Sequence, residues 1–408
     1  MSVAMPSWSQ DVKPESAGFS SSGLKVVDAV IERHIAAGDI PGAVVLVRGR
    51  GKTVLWEAKG AINADQSVPL SRDTVFWVAS LTKPIVAASL LMLVEEGKVA
   101  LDDPVWKYIP EFKHTRQVRT LKAGSPPPPT PGAGPADPNA PQPQYDLAPA
   151  VRDITIKDLL DHTSGIQAIG VQNSSIPPIV AGDTAASWVP KLADSILEFQ
   201  PGTRWAYSNA AGFDVLVRVI EVASGQPFNV FVQRRVFDPL KMTSSGFRGL
   251  RPDLMARFMP LDAKLLENPC IAGITYFCGS AGLWMSADDY ARFAQMLLDG
   301  GIARNGTRLL KAKTVALMAS NQVGGLFAGT QGISAKGAGM GLGVLVITDQ
   351  AMSGTAVPTA SFGWDGVGSR RFWVMPSANT VLVIFIPSGK ATQVHRDVEA
   401  AVVAARIR

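Results

Sequence analysis

The chain has 408 residues, 47% hydrophobic and only 18% charged, against roughly 25% charged in an average soluble domain, so no large solvated or disordered fraction is expected. Its formal net charge of +5 comes from Lys and Arg scattered singly, which argues against nucleic acid or an anionic membrane as partner. The length allows one large domain or two, each with a sizeable core.

Leu24, Val27, Ile31 and Ile35 recur at helical spacing, and Gly38 marks the stop. Two β-rich runs follow, Ala43 to Arg48 and Thr53 to Ala58, split by Gly49-Arg50-Gly51 as in a hairpin. Phe76 to Pro84 opens a strongly apolar helix that runs to about Glu96. From about Leu101 to Lys311 the pattern is helical segments and loops. Within it, Lys122 to Pro149 is rich in Pro, Ala and Gly, with consecutive prolines from Pro126 to Pro129. This stretch is expected to be an extended surface excursion without helix or sheet ladders. Arg371 to Met375 and Thr380 to Ile386 read as strands around a turn at Pro376 to Asn379. A last helix carries Val394, Val398, Val402 and Ala405 on one face.

These elements predict an α/β chain with an antiparallel sheet built from both termini and flanked by helices. Residues 1–100 and 312–408 would form that domain, and 101–311 an inserted, mostly helical one. A site between the two is expected, because pockets favour domain interfaces.

The start, Met1 to Asp11, lacks a basic segment followed by an apolar one, so no signal peptide is expected. The longest apolar run, Ile85 to Val94, is about half of a membrane span. The expected location is cytoplasmic, with no membrane partner. On that premise Cys270 and Cys278 read as buried free thiols rather than a disulfide. The four histidines stand at no metal-ligand spacing, and neither a metal nor another cofactor is expected.

Ser80 and Lys83 stand at i and i+3 near the helix start, so both project from one face. A serine hydroxyl is a weak nucleophile until a neighbour takes its proton. The positive end of a helix favours the anion that then develops. Ser22-Gly23-Leu24-Lys25 repeats the spacing and reads as an ordinary helix start. Ser80 differs in its setting, because a polar pair in an apolar helix needs partners. Tyr207 alone among the five tyrosines has Asn two residues on, at Asn209. In an extended segment the two share a side. Tyr207 beside a lysine could shuttle the serine proton, and Asn209 could bond the lysine or the acyl group.

Ser80, Lys83, Tyr207 and Asn209 together resemble the serine β-lactamase and penicillin-binding-protein superfamily, most closely its class C-like branch with the family VIII carboxylesterases. The resemblance runs from about Gly23 to Arg408. It includes Leu159-Leu160-Asp161-His162-Thr163-Ser164-Gly165 and the segment Gly282 to Tyr290. It implies that Trp364-Asp365-Gly366 replaces the Lys-Thr-Gly of β-lactamases, and that the amides of Ser80 and Val367 form the oxyanion hole. Tryptophan in place of the lysine, with Asp365 beside it, argues for a neutral apolar ester.

A Ser-His-Asp arrangement fits less well. G-x-S-x-G does not occur, since Cys278-Gly279-Ser280-Ala281-Gly282 lacks its first glycine. His34 lies on the first helix, His114 precedes the proline-rich stretch and His395 is on the last helix. Only His162 is near the proposed site, and it reads as a structural loop residue beside a solvated or capping Asp161. The sequence thus predicts a serine carboxylesterase acting on a small-molecule ester, with Ser80, Lys83 and Tyr207 catalytic. Asn209, Trp364, Gly366 and Val367 are expected to border the substrate. An amide, peptide or β-lactam hydrolase, an acyltransferase and a non-catalytic binding protein are the alternatives. Oligomeric state is not legible.

Overall fold

The computed structural model describes residues 12–113, 116–126, 141, 143–167, 175–330, 332–387 and 391–407. The first helix, α1 (Ser21–Ala36), starts where the Ser20 hydroxyl accepts from Gly23 N, and the chain leaves it through Gly38 at φ +75°. Ser22 sits inside its first turn, as the helix-start reading requires. The hairpin β1 (Gly42–Gly49) and β2 (Lys52–Gly60) follows as expected.

Five further strands come from the far end of the chain. They are β3 (Ala338–Met340), β4 (Leu345–Ile347), β5 (Phe362–Gly366), β6 (Arg370–Met375) and β7 (Thr380–Phe385). The sheet order is β2-β1-β7-β6-β5-β4-β3, with every pairing antiparallel. The two termini therefore meet at the β1–β7 ladder, where Val44 faces Phe385 and Gly49 faces Thr380. Every residue of β1, β6 and β7 is buried, so both faces of the sheet centre are covered. The last helix, α5 (Thr392–Ala404), packs beside α1 and buries Val394, Val398 and Val402.

The apolar helix α2 (Thr82–Glu95) is buried on all sides from Thr82 to Leu93, which is why it shows no polar stripe. It packs against α3 (Ala211–Ser224). Helix α4 (Ala287–Leu298), expected within the inserted helical domain, lies on the sheet instead. Its Tyr290 ring meets Phe372 and Phe385, and its Asp288 holds the buried Arg48 of β1 at 2.7 Å. No helix among the described residues is long and apolar enough to cross a membrane by itself.

Two expectations are corrected here. The proline-rich stretch does form a ladder at its end: Tyr145–Pro149 pairs antiparallel with Gln117–Leu121. That hairpin is held because Leu197 N donates to Gln117 O and Arg119 N to Leu197 O. Residues 127–140 and 142 lie outside the described residues, as does His114. Cys270 and Cys278 form a disulfide rather than two thiols. The free-thiol reading leaned on a reducing compartment. The bond instead closes a short loop that turns out to border the site.

Candidate active site

Ser80 lies on one 3-10 turn, Ala79–Leu81, between the short strand Phe76–Trp77 and the start of α2. Ala79 has φ +48°, a left-handed conformation that costs about 1–3 kcal/mol and persists only where the surroundings dictate it. The surroundings do so here. Val78 N donates to Leu283 O (3.0 Å), Leu283 N to the Thr82 hydroxyl (3.1 Å), and Tyr290 OH to Leu81 O (3.0 Å). The Gly282 to Tyr290 segment thus holds the turn that presents the serine.

Lys83 is fully buried. Its Nζ donates to Ser80 Oγ (3.3 Å), Asn209 O (3.1 Å) and Ser280 O (2.8 Å). An ammonium has three donors, so the cation is fully satisfied without water. Tyr207 arrives from the loop before α3. Its hydroxyl donates to Ser80 Oγ at 2.7 Å, and its ring centroid is 5.0 Å from Lys83 Nζ. Asn209 joins the site in a different way from that expected. Its main-chain oxygen, not its side chain, meets the lysine, and the residue is exposed at the mouth.

The edge of β5 forms the opposite wall. A Cβ on Gly366 would lie 2.4 Å from Val78 O, so only glycine lets this strand run against the Ser80 turn. Val367 follows, 63% exposed. The amides of Ser80 and Val367 donate to no main-chain carbonyl among the described residues, which leaves both N–H groups open to an incoming oxygen.

Trp364 is buried with its ring 5.4 Å from that of Tyr207. Asp365 has the opposite orientation, as alternation along a strand requires. Both its oxygens lie 2.6 Å from Arg371, which also holds Glu399 of α5 at 2.9 Å. Burial pushes the Asp365 carboxyl up, and the Arg371 charge opposes that rise. The expected electrostatic barrier to anionic substrates is therefore absent at Asp365, whose charge is paired with Arg371, the residue that ties the last helix to the sheet through Glu399. Asp365→Ala is expected to destabilise the fold by about 3–5 kcal/mol, since it breaks a buried ion pair. A lower thermal midpoint, with an unchanged preference between anionic and neutral esters, is the measurement that checks this. A changed preference with an unchanged midpoint would count against it.

His162 packs edge-on against Tyr207, with ring centroids 4.9 Å apart, and makes no hydrogen bond to Ser80. Its Nδ1 accepts from Ser208 N (3.2 Å), and its carbonyl accepts from Ala206 N (3.1 Å). Burial, then the Lys83 charge, pushes the imidazole well below its usual range, so it is neutral. A structural role for this loop residue agrees with these contacts. Of the two readings of Asp161, the capping one fits, since its Oδ1 accepts from Thr163 N (3.2 Å) just past the helix Ile156–Leu160. Asp161 is buried, not solvated, and accepts from Lys157 Nζ and the Thr163 hydroxyl, each at 2.7 Å.

Sequence reasoning missed two residues. Ser280, noted only within a failed nucleophile motif, supplies the shortest contact to Lys83. Asp214, on α3, is a buried carboxylate that accepts from Ser280 N at 2.9 Å. No spacing pattern links Asp214 to Ser280. The only signal was a charged residue in the apolar first turn of a helix whose other charges, Arg218 and Glu221, come later.

The sequence matches the family described as Beta-lactamase over residues 27–406. The chain belongs to the beta-lactamase family. Among its relatives, an uncharacterized protein of Mycobacterium tuberculosis is 32% identical over 376 residues, 88% of each chain. Esterase EstB of Burkholderia gladioli is 29% identical over 384 residues, covering 85% of this chain and 86% of the relative. Among solved structures, "EstCE1, a hydrolase with promiscuous acyltransferase activity" superposes with a TM-score of 0.74 at 24% identity, over 94% of this chain and 98% of that one. The fold is accordingly the mixed α/β, serine β-lactamase-like one, and this beta-lactamase-family chain is a serine hydrolase of the β-lactamase and penicillin-binding-protein superfamily.

Proposed function

We propose that the protein hydrolyses carboxylic esters through an acyl-enzyme on Ser80. The observation that carries this reading is the convergence on Ser80 Oγ of Tyr207 OH at 2.7 Å and Lys83 Nζ at 3.3 Å. In the reactive form Tyr207 has released its own proton to solvent and is held as the phenolate by the Lys83 ammonium; Ser80 attacks the ester carbonyl and that phenolate takes its proton. The amides of Ser80 and Val367 receive the oxyanion. The alcohol leaves with the proton returned by the same pair. Water then attacks the acyl carbonyl, passes its proton back through Tyr207, and releases the acid.

An ester rather than a lactam is supported by Trp364, which places an indole where β-lactamases carry a lysine for the substrate carboxylate. The name of EstB supports it too. Because Asp365 is turned away, the case for a neutral, small apolar acyl group rests on Trp364 alone. Asn209, exposed beside the serine, and Val367 at the strand edge are the groups that would meet the substrate first.

The test is turnover of a short-chain p-nitrophenyl ester beside a chromogenic cephalosporin. Fast ester cleavage with little lactam opening is the expected result. Fast lactam opening with slow ester cleavage would overturn the ester assignment and show that an indole at this position excludes nothing.

A further inference from the structure

Among the buried ionisable groups that the proposed mechanism does not use, Asp214 is linked to Lys83 through a single residue, Ser280. It stands in the first turn of α3 with its carboxylate enclosed. Oδ1 accepts from Ser280 N (2.9 Å) and Oδ2 from Tyr276 OH (2.8 Å). Cys278 of the disulfide lies 3.8 Å from the same oxygen. Ser280 thus has its N–H taken by Asp214 and its C=O taken by Lys83 Nζ, which leaves the residue no freedom to turn.

The loop carrying Ser280 is also pressed onto α3. A Cβ on Gly279 would come within 2.5 Å of both Phe213 O and Val217 Cγ2. The disulfide closes the loop on the other side, from Cys270 to Cys278. Such a close approach needs an attractive contact to hold it, and the Asp214 carboxylate supplies two charge-assisted ones.

We propose that Asp214 is a positioning residue for Lys83: it clamps Ser280 so that the Ser280 carbonyl fixes the ammonium against Ser80. This rests on the assignment of Ser80 as nucleophile. The ionisable groups acting on Asp214 are Tyr276 and Lys83, and burial outweighs both, pushing the carboxyl up to about 6. A carboxylate kept in so unfavourable a place gains support for a role beyond stability. By linkage, its folded-state rise means that stability falls as pH increases from about 4 to about 6 and is level above that, so Asp214 itself makes the fold no firmer at neutral pH.

The experiment is the rate of Ser80 labelling by a fluorophosphonate, a readout that does not depend on the natural substrate. Asp214→Ala is expected to slow labelling by about 10²-fold, the cost of misplacing a reacting group by roughly 1 Å. Asp214→Asn keeps a carbonyl oxygen for Ser280 N and is expected to recover most of the rate. Gly279→Ala, which pushes the loop off α3 with Asp214 intact, should slow labelling as well, and it decides the matter if Asp214→Ala does not fold. Unchanged labelling in Asp214→Ala, or in Gly279→Ala if only that variant folds, overturns the proposal. So does an Asn variant as slow as the Ala one. A wild type that is not labelled at all removes the Ser80 assignment on which it rests.

Discussion

Ser80→Ala is expected to reduce ester turnover by at least about 10³-fold and to abolish covalent labelling, because no other group among the described residues is placed to attack. Of the polar atoms gathered here, only Ser80 Oγ lies within hydrogen-bond distance of both Tyr207 OH (2.7 Å) and Lys83 Nζ (3.3 Å). His162 does not substitute for it, since its Nδ1 is taken by Ser208 N. The fold should be unaffected. Ser80 is partly exposed, and its removal leaves Lys83 still bonded to Asn209 O and Ser280 O. A thermal midpoint near that of the wild type, measured beside the lost activity, separates chemistry from collapse. Turnover retained within tenfold would remove Ser80 as the nucleophile.

What the sequence disclosed and what it concealed divide on a physical line. Ser80 and Lys83 were legible because one helical turn brings them together, and Tyr207 and Asn209 because a short segment does. Both are local relations. The terminal strands were legible for the same reason: runs such as Val44 to Val47 and Val381 to Phe385 declare buried strands. The pairing of Asp214 with Ser280 is not local, since it joins the start of α3 to a loop 66 residues on. The left-handed Ala79 left no mark either, because alanine is not the residue that such a backbone selects.

One misreading had signals that could have corrected it. Asp365 follows Trp364 directly, so in any strand the two must face opposite ways. Arg371, paired with it across the ladder, was the natural counter-charge. The disulfide is different, because a spacing of eight fits many arrangements and the compartment argument pointed to thiols.

Tyr207→Phe and Lys83→Met should each lower turnover by about 10²- to 10⁴-fold, the usual worth of acid–base assistance, but they should differ in what else they change. Phenylalanine keeps the ring that packs on His162 and Trp364 and removes one hydroxyl, whose partner Ser80 can turn to solvent. Its stability should stay within about 1 kcal/mol of the wild type. Methionine is worse placed. It fills the volume of Lys83 yet leaves two carbonyls, Asn209 O and Ser280 O, without the donor they share, and a buried unmet group costs about 1–3 kcal/mol. Lys83→Met should therefore lose stability as well as rate, while Tyr207→Phe loses rate alone. Equal stability losses would place Tyr207 in the scaffold rather than the relay. Near-normal turnover in Tyr207→Phe would leave Lys83 as the sole acceptor of the serine proton, across 3.3 Å instead of 2.7 Å.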